Sequence, residues 1–340
     1  MEFMRKHKLS ISIIIFSILF YLLFLYIDFA QIMFKISKNN ESFINIIWKC
    51  WFFSIPTLLL IPLIIYYLVI FLKNNKNKLK WIIFILVLLF ELLYTFIVSL
   101  YAMTPGFSFY PKDYNSDILE YNNVRLVEVN VEGNIYKSTY YDNNKDNVII
   151  FFPGNSQTSS DIFEFIGEEN LLFSDRNILV MDYPMFGFND GRLTEDEIYR
   201  EVDQYMSFLI NDEGYDLSNI RVMGFSIGTG VACYCAEKYD VESLVLLAPY
   251  DKFQSAMNNM VNVFHGPLEF AVRFKFNSYE KAKNIKCHTI ILYSRSDQTI
   301  PYTSTLNLIS NLTDYESKEI DNASHAMVLR NDIAKNYILH

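Results

Sequence analysis

Residues 224–228 read GFSIG, a serine with glycines two positions before and two after it. The apolar run NIRVMGF (219–225) precedes it and a helical stretch, 227–239, follows. Small residues at those two places let the backbone turn sharply enough to lift a hydroxyl off the end of a strand. Ser226 is therefore a candidate nucleophile. The competing reading is a glycine-rich phosphate cradle, but there is no GxGxxG spacing and no Lys after the turn.

A serine hydroxyl is a weak nucleophile until a base removes its proton. Of the five histidines, His7 lies near the N-terminus, His288 opens a strand and His340 ends the chain, leaving His265 and His325. His325, in DNASHAM, comes last in the order nucleophile, acid, histidine that an elbow serine implies. The acid that orients the imidazole belongs beyond a strand between the two. Asp297 in YSRSDQTIP fits, because Pro301 and a helix at 303–312 shorten its loop; Asp251, just past 243–249, is the rival. A tetrahedral oxyanion also needs two preorganised N–H donors. Ile227 offers one, and the turn Pro153–Gly154–Asn155–Ser156 the other, from Asn155 or alternatively Ser156.

These residues need a scaffold. Apolar runs at 147–152, 177–183, 219–225, 243–249 and 288–294 alternate with helical signals at 159–170, at 194–213 with a capping box from Thr194 to Glu197, and at 227–239. Strands apolar throughout are those covered on both faces. The alternation predicts a doubly wound, mostly parallel sheet, with a hairpin, 124–131 and 134–141, before it. On such sheets ligands bind beyond the carboxyl ends of the strands, where all the residues above lie.

The first 103 residues read differently. Apolar stretches at 9–27, 44–72 and 81–103 suit three membrane-spanning helices, the middle one kinked at Pro56 and Pro62. Basic flanks before the first and after the second place both on the cytoplasmic side. Residues 104–119 form a linker, and the catalytic domain, 120–340, is expected across the membrane on the non-cytoplasmic side. Glu91, inside the third stretch, receives no role. Residues 1–102 hold ten Lys and Arg against four acids, leaving nineteen of the 29 basic residues against thirty-four of the 38 acidic ones in the rest. A negative domain without a basic cluster argues against nucleic acid. Cys50, Cys233, Cys235 and Cys287 show no metal-ligand spacing, so no metal is expected.

Taken together, FFPGN, DYPMFGFNDG (182–191), GFSIG, LLAPYDKF (246–253), RFKFNS (273–278), YSRSDQTIP and ASH resemble the α/β-hydrolase superfamily, and within it the membrane-anchored serine hydrolases. In relatives the DY segment continues Arg, Gly, where this chain has Pro184 and Met185, and the oxyanion turn opens with His, where it has Pro153. The resemblance implies an α/β-hydrolase fold, no cofactor, and hydrolysis of an ester, thioester or amide of a small-molecule, lipid or acylated substrate through an acyl-serine. Residues 250–280 are long enough for a small lid or a core-packing helix pair. The alternative function is a catalytically inactive hydrolase-like domain serving as a membrane-tethered binding or scaffold protein; a transporter finds no ionisable pathway in three spans.

Overall fold

The computed structural model describes residues 108–340 throughout and scattered positions between 12 and 104. Contacts divide the chain into two compact units, the first gathering Met1–Ser37, Glu41–Phe107 and Gly266–Arg273, the second Lys38–Asn40, Ser108–His265 and Phe274–His340. Within the first, the Thr104 hydroxyl donates to the Ala271 carbonyl at 2.6 Å, and the Tyr101 and Phe270 rings lie 6.4 Å apart.

The expected membrane anchor is corrected here. Among the described residues no helix is long and apolar enough to cross a membrane, which conflicts with a multi-pass protein whose catalytic domain is non-cytoplasmic. Apolar composition favours burial of any kind, whereas a crossing needs about 20 continuous helical residues. The stretches 9–27 and 44–72 fall largely, 81–103 in part, and Glu91 wholly, outside the described residues. A lipid-proximal site loses its support with the anchor.

The second unit is built on an eight-stranded sheet: β1 (Val124–Val131), β2 (Asn134–Tyr141), β3 (Val148–Phe152), β4 (Asn177–Val180), β5 (Ile220–Phe225), β6 (Ser243–Leu247), β7 (His288–Tyr293) and β8 (Tyr315–Glu319). Their spatial order is β1-β2-β4-β3-β5-β6-β7-β8, antiparallel across β1, β2 and β4 and parallel from β4 onward. The hairpin closes on two residues with positive φ, Glu132 (51°) and Gly133 (95°), the geometry whose twist matches the strands it joins. All five residues of β3 are fully buried, as a central strand covered on both faces requires. The edge strand β8 is exposed and carries Glu316, Lys318 and Glu319, charges that discourage further pairing.

The helices are α1 (Ser159–Ile166), α2 (Glu168–Leu171), α3 (Glu195–Ser207), α4 (Gly228–Lys238), α5 (Phe253–Met260), α6 (Ser278–Ala282), α7 (Tyr302–Ile309), α8 (His325–Leu329) and α9 (Asp332–Leu339). The single helix expected over 159–170 is broken at Gly167, whose φ of 78° suits glycine. Thr194 caps α3 by accepting from the Glu197 N–H, and one π turn, Phe208–Asp212, continues the helix.

Ile198, Glu201, Val202 and Tyr205 share the buried stripe of α3, so helical spacing carries a carboxyl into the core. Neither Glu201 oxygen has a hydrogen-bond partner. Burial first, then the nearby Asp182 and Glu197, hold its pKa well above the usual carboxylate range. Such a group binds its proton more tightly folded than unfolded. Its contribution to stability therefore falls as pH rises above the ordinary glutamate value of about 4.3, by about 1.4 kcal/mol per unit until the folded-state value is reached. Glu201→Gln, which cannot ionise, escapes that loss. Urea unfolding at pH 5 and pH 8 should find the variant gaining at least about 1 kcal/mol on the wild type over that interval; parallel pH profiles would contradict this.

Candidate active site

The switch point of the sheet lies at β3. After it the chain crosses to β4 on one side, and after β4 it returns to β5 on the other, so the loops leaving β3 and β5 part and open a crevice. The carboxyl ends of four strands there each lead into a residue in the left-handed region: Ser156 (φ 59°) beyond β3, Met185 (73°) beyond β4, Ser226 (54°) beyond β5 and Ala248 (50°) beyond β6. Non-glycine residues adopt this conformation at a cost of about 1–3 kcal/mol, and such strain gathers at functional sites.

Ser226 sits on the turn between β5 and α4, its N–H donating to the Leu247 carbonyl at 2.9 Å and its carbonyl accepting from the Thr229 N–H at 2.9 Å and hydroxyl at 2.6 Å. The two elbow glycines are required by space. A Cβ on Gly224 would stand 2.5 Å from the Gly228 carbonyl oxygen, and one on Gly228 would stand 2.1 Å from that of Phe152 and 2.6 Å from that of Pro153. Those contacts also place the elbow directly against the turn that follows β3.

The structure brings Ser226, Asp297 and His325 together. His325 Nε2 lies 2.8 Å from Ser226 Oγ, and Nδ1 lies 2.7 Å from Asp297 Oδ2. Asp297 Oδ1 accepts from the N–H groups of Thr299 at 2.8 Å and Ile300 at 2.9 Å, so the loop after β7 clamps the carboxylate. The Asp297 side chain is 2 % exposed and that of His325 20 %, which leaves the imidazole reachable and its partner sealed. The Phe225 ring packs 5.0 Å from the imidazole. His325 opens α8, the short helix that follows β8.

The rivals are engaged elsewhere. Asp251 accepts from the Ser304 hydroxyl at 2.5 Å, the Asn307 amide at 2.6 Å and the Lys252 N–H at 2.7 Å. His265 bonds Asn262, His288 bonds Asp314 and His340 bonds Asp175. Burial pushes the thiols of Cys233 and Cys287 up, to about 12 and about 11, which makes them poor nucleophiles.

In the turn after β3, the Gly154 N–H donates to Gln157 Oε1 at 2.9 Å, and Asn155 Oδ1 accepts from the Tyr110 N–H at 2.8 Å. The backbone N–H groups of Asn155, Ser156 and Ile227 have no acceptor among the described residues. Two side chains beyond β4, to which the sequence assigns no role, reach this turn and the start of α1. Tyr183 donates its hydroxyl to the Pro153 carbonyl at 2.8 Å, and Asp182 accepts from both the N–H and the hydroxyl of Ser159 at 2.5 Å. DYPM stands out in the sequence only as part of the family resemblance, and nothing in its local pattern names these partners. Their reach follows from the pairing of β4 with β3, which sets Val180 beside Phe151.

A family model described as the α/β hydrolase fold matches residues 147–278. In sequence the chain is similar to the putative alpha/beta hydrolase L404 of Acanthamoeba polyphaga mimivirus, 27% identical over 213 residues that make up 61% of this chain and 74% of the relative. It is also similar to the alpha/beta hydrolase domain-containing protein aho-3 of Caenorhabditis elegans, 26% identical over 39% of this chain and 38% of the relative, so it spans well under half of that protein. Among solved structures, the esterase Pf2001 of Pyrococcus furiosus superposes with a TM-score of 0.53 at 17% identity, over 67% of this chain and 92% of that one. An alpha-beta hydrolase from Vibrio vulnificus gives 0.52 at 18% identity, over 64% and 80%. At such identities the structural likeness speaks for the fold. Strand order, segment match and relatives together give the second unit the α/β-hydrolase fold.

Proposed function

We propose that the domain is a serine hydrolase that cleaves a small-molecule carboxylic ester, thioester or amide through an acyl-serine. The observation that carries this reading is the unbroken chain Asp297–His325–Ser226, at 2.7 and 2.8 Å, ending on a serine held at a left-handed φ. With Nδ1–H given to Asp297, Nε2 is the bare nitrogen and accepts the Ser226 proton. As Oγ bonds the carbonyl carbon, that proton passes to Nε2 and the carbonyl π pair moves onto oxygen. The N–H groups of Ile227 and Asn155 receive the developing charge. Collapse breaks the bond to the leaving group, which takes the proton from Nε2 and leaves the acyl group on Oγ. Water then repeats the sequence: Nε2 takes its proton, the hydroxyl oxygen bonds the acyl carbon, and the acid departs as Ser226 regains its hydrogen.

A fluorophosphonate probe tests the proposal, since it phosphonylates a serine only where an adjacent base has activated it. The wild type should take up one probe per chain, on the peptide containing Ser226, and Ser226→Ala none. A folded wild type that resists the probe would overturn the reading and leave a binding module with a hydrolase fold.

A further inference from the structure

The proposed oxyanion site asks something particular of the turn after β3. The N–H of Asn155 belongs to a four-residue turn that is buried at Pro153 and Gly154 and exposed at Ser156, yet a preorganised donor must hold its direction to within a fraction of an ångström. The turn has few ties of its own: the Gln157 N–H donates to the Gly154 carbonyl at 3.3 Å, and the Gly154 N–H is met by a side chain. Its rigidity has to be imported.

Tyr183 is built to supply it. Its side chain is wholly buried, and its hydroxyl ends on the Pro153 carbonyl at 2.8 Å. That carbonyl belongs to the peptide unit immediately before Gly154, and it also abuts Gly228 on the elbow. One bond therefore ties the turn to the segment after β4, at the same carbonyl that packs against the elbow. The Tyr183 ring is fixed in turn by edge-on contacts with Phe109 at 5.9 Å and Phe186 at 5.8 Å. Burial, reinforced by Glu201 and Asp182, keeps the phenol protonated, so it acts as a donor throughout the working range of pH. Gln157 Oε1 accepts from the adjacent Gly154 N–H at 2.9 Å.

We infer that Tyr183, seconded by Gln157, is a positioning residue that holds the turn after β3 in register with the Ser226 elbow and so aims its N–H at the reacting carbonyl oxygen. The inference rests on the proposed serine hydrolase reading. Tyr183 touches neither substrate nor reacting atoms. Its removal should therefore be felt in the tetrahedral state, in which the oxyanion is bound, and little in ground-state binding.

The experiment compares wild type, Tyr183→Phe and Gln157→Ala by kcat and KM for p-nitrophenyl acetate, by Ki for phenylboronic acid and by thermal melting. The boronate forms a tetrahedral adduct on a serine and reports the oxyanion donors without turnover. Tyr183→Phe is expected to lower kcat about 10- to 100-fold, short of the loss for deleting an oxyanion donor outright. Ki should rise by a similar factor and KM should change less than about 2-fold. Gln157→Ala should move the same two constants in the same direction by less. If Tyr183→Phe does not fold, Gln157→Ala decides alone, because its partly exposed side chain can be removed at little cost to the fold. Unchanged kcat and Ki in a folded variant, or a loss confined to KM, overturn the inference while wild-type labelling by fluorophosphonate preserves the hydrolase reading. An unlabelled wild type removes both.

Discussion

Replacing Asp297 by asparagine should lower kcat about 10⁴-fold while leaving the melting temperature almost unchanged. The fold around residue 297 dictates which way the new amide faces. Two backbone donors, the N–H groups of Thr299 and Ile300, converge on Oδ1, so the amide oxygen must take that place. The NH2 group is then left where Oδ2 meets His325 Nδ1. A donor there forces Nδ1 to become the acceptor and moves the ring hydrogen to Nε2, the nitrogen that must receive the Ser226 proton. Geometry survives and the base is lost. A factor of 10⁴ corresponds to about 5.4 kcal/mol of transition-state stabilisation. Steady-state turnover of p-nitrophenyl acetate with a parallel thermal melt measures both halves of the claim. A loss below about 10-fold in a folded protein would show that Asp297 does not set the tautomer.

The second large effect is on folding. Gly228→Ala places a methyl group 2.1 Å from the Phe152 carbonyl oxygen and 2.6 Å from that of Pro153. Neither atom is the far end of a flexible side chain. Phe152 ends β3, which is paired with β4 on one side and β5 on the other, so the obstacle is the centre of the sheet. Relief must come from the elbow, and it would carry Ser226 away from His325. The variant is expected to lose more than about 4 kcal/mol of stability. Any fraction that folds should react with a fluorophosphonate at least about 100-fold more slowly, since a displacement near 1 Å costs that much. Urea unfolding followed by probe kinetics would expose the argument: a Gly228→Ala protein within about 1 kcal/mol of wild type and fully reactive would mean that the close approach is not what the glycine is for.

Much of this is legible in the amino-acid sequence itself. The hairpin at Glu132 and Gly133, the buried strands and the elbow are local statements, written in apolar period, turn chemistry and glycine spacing within a few residues of one another. For the same reason Ser226, Asp297 and His325 could be picked out singly, each by its place after a strand. The apolar stretches at the N-terminus were also plain to see, but hydropathy alone does not specify a helix long enough to cross a bilayer, and that expectation did not stand against the described residues.

Other features had no local signature. Tyr183 and Asp182 act on Pro153 and Ser159, some 23 to 30 residues away, through the register of β4 against β3. Glu201 occupies a core position that helix periodicity marks, yet its lack of any partner depends on what the sheet brings opposite. The meeting of residues 226, 297 and 325 is likewise a product of the order β5-β6-β7-β8, which stacks distant strand ends along one rim. Chain-local sterics and period decide which segments become strands, turns and helices; hydrogen bonds between side chains far apart in sequence exist only once the strands have paired, so the site's geometry belongs to the tertiary structure.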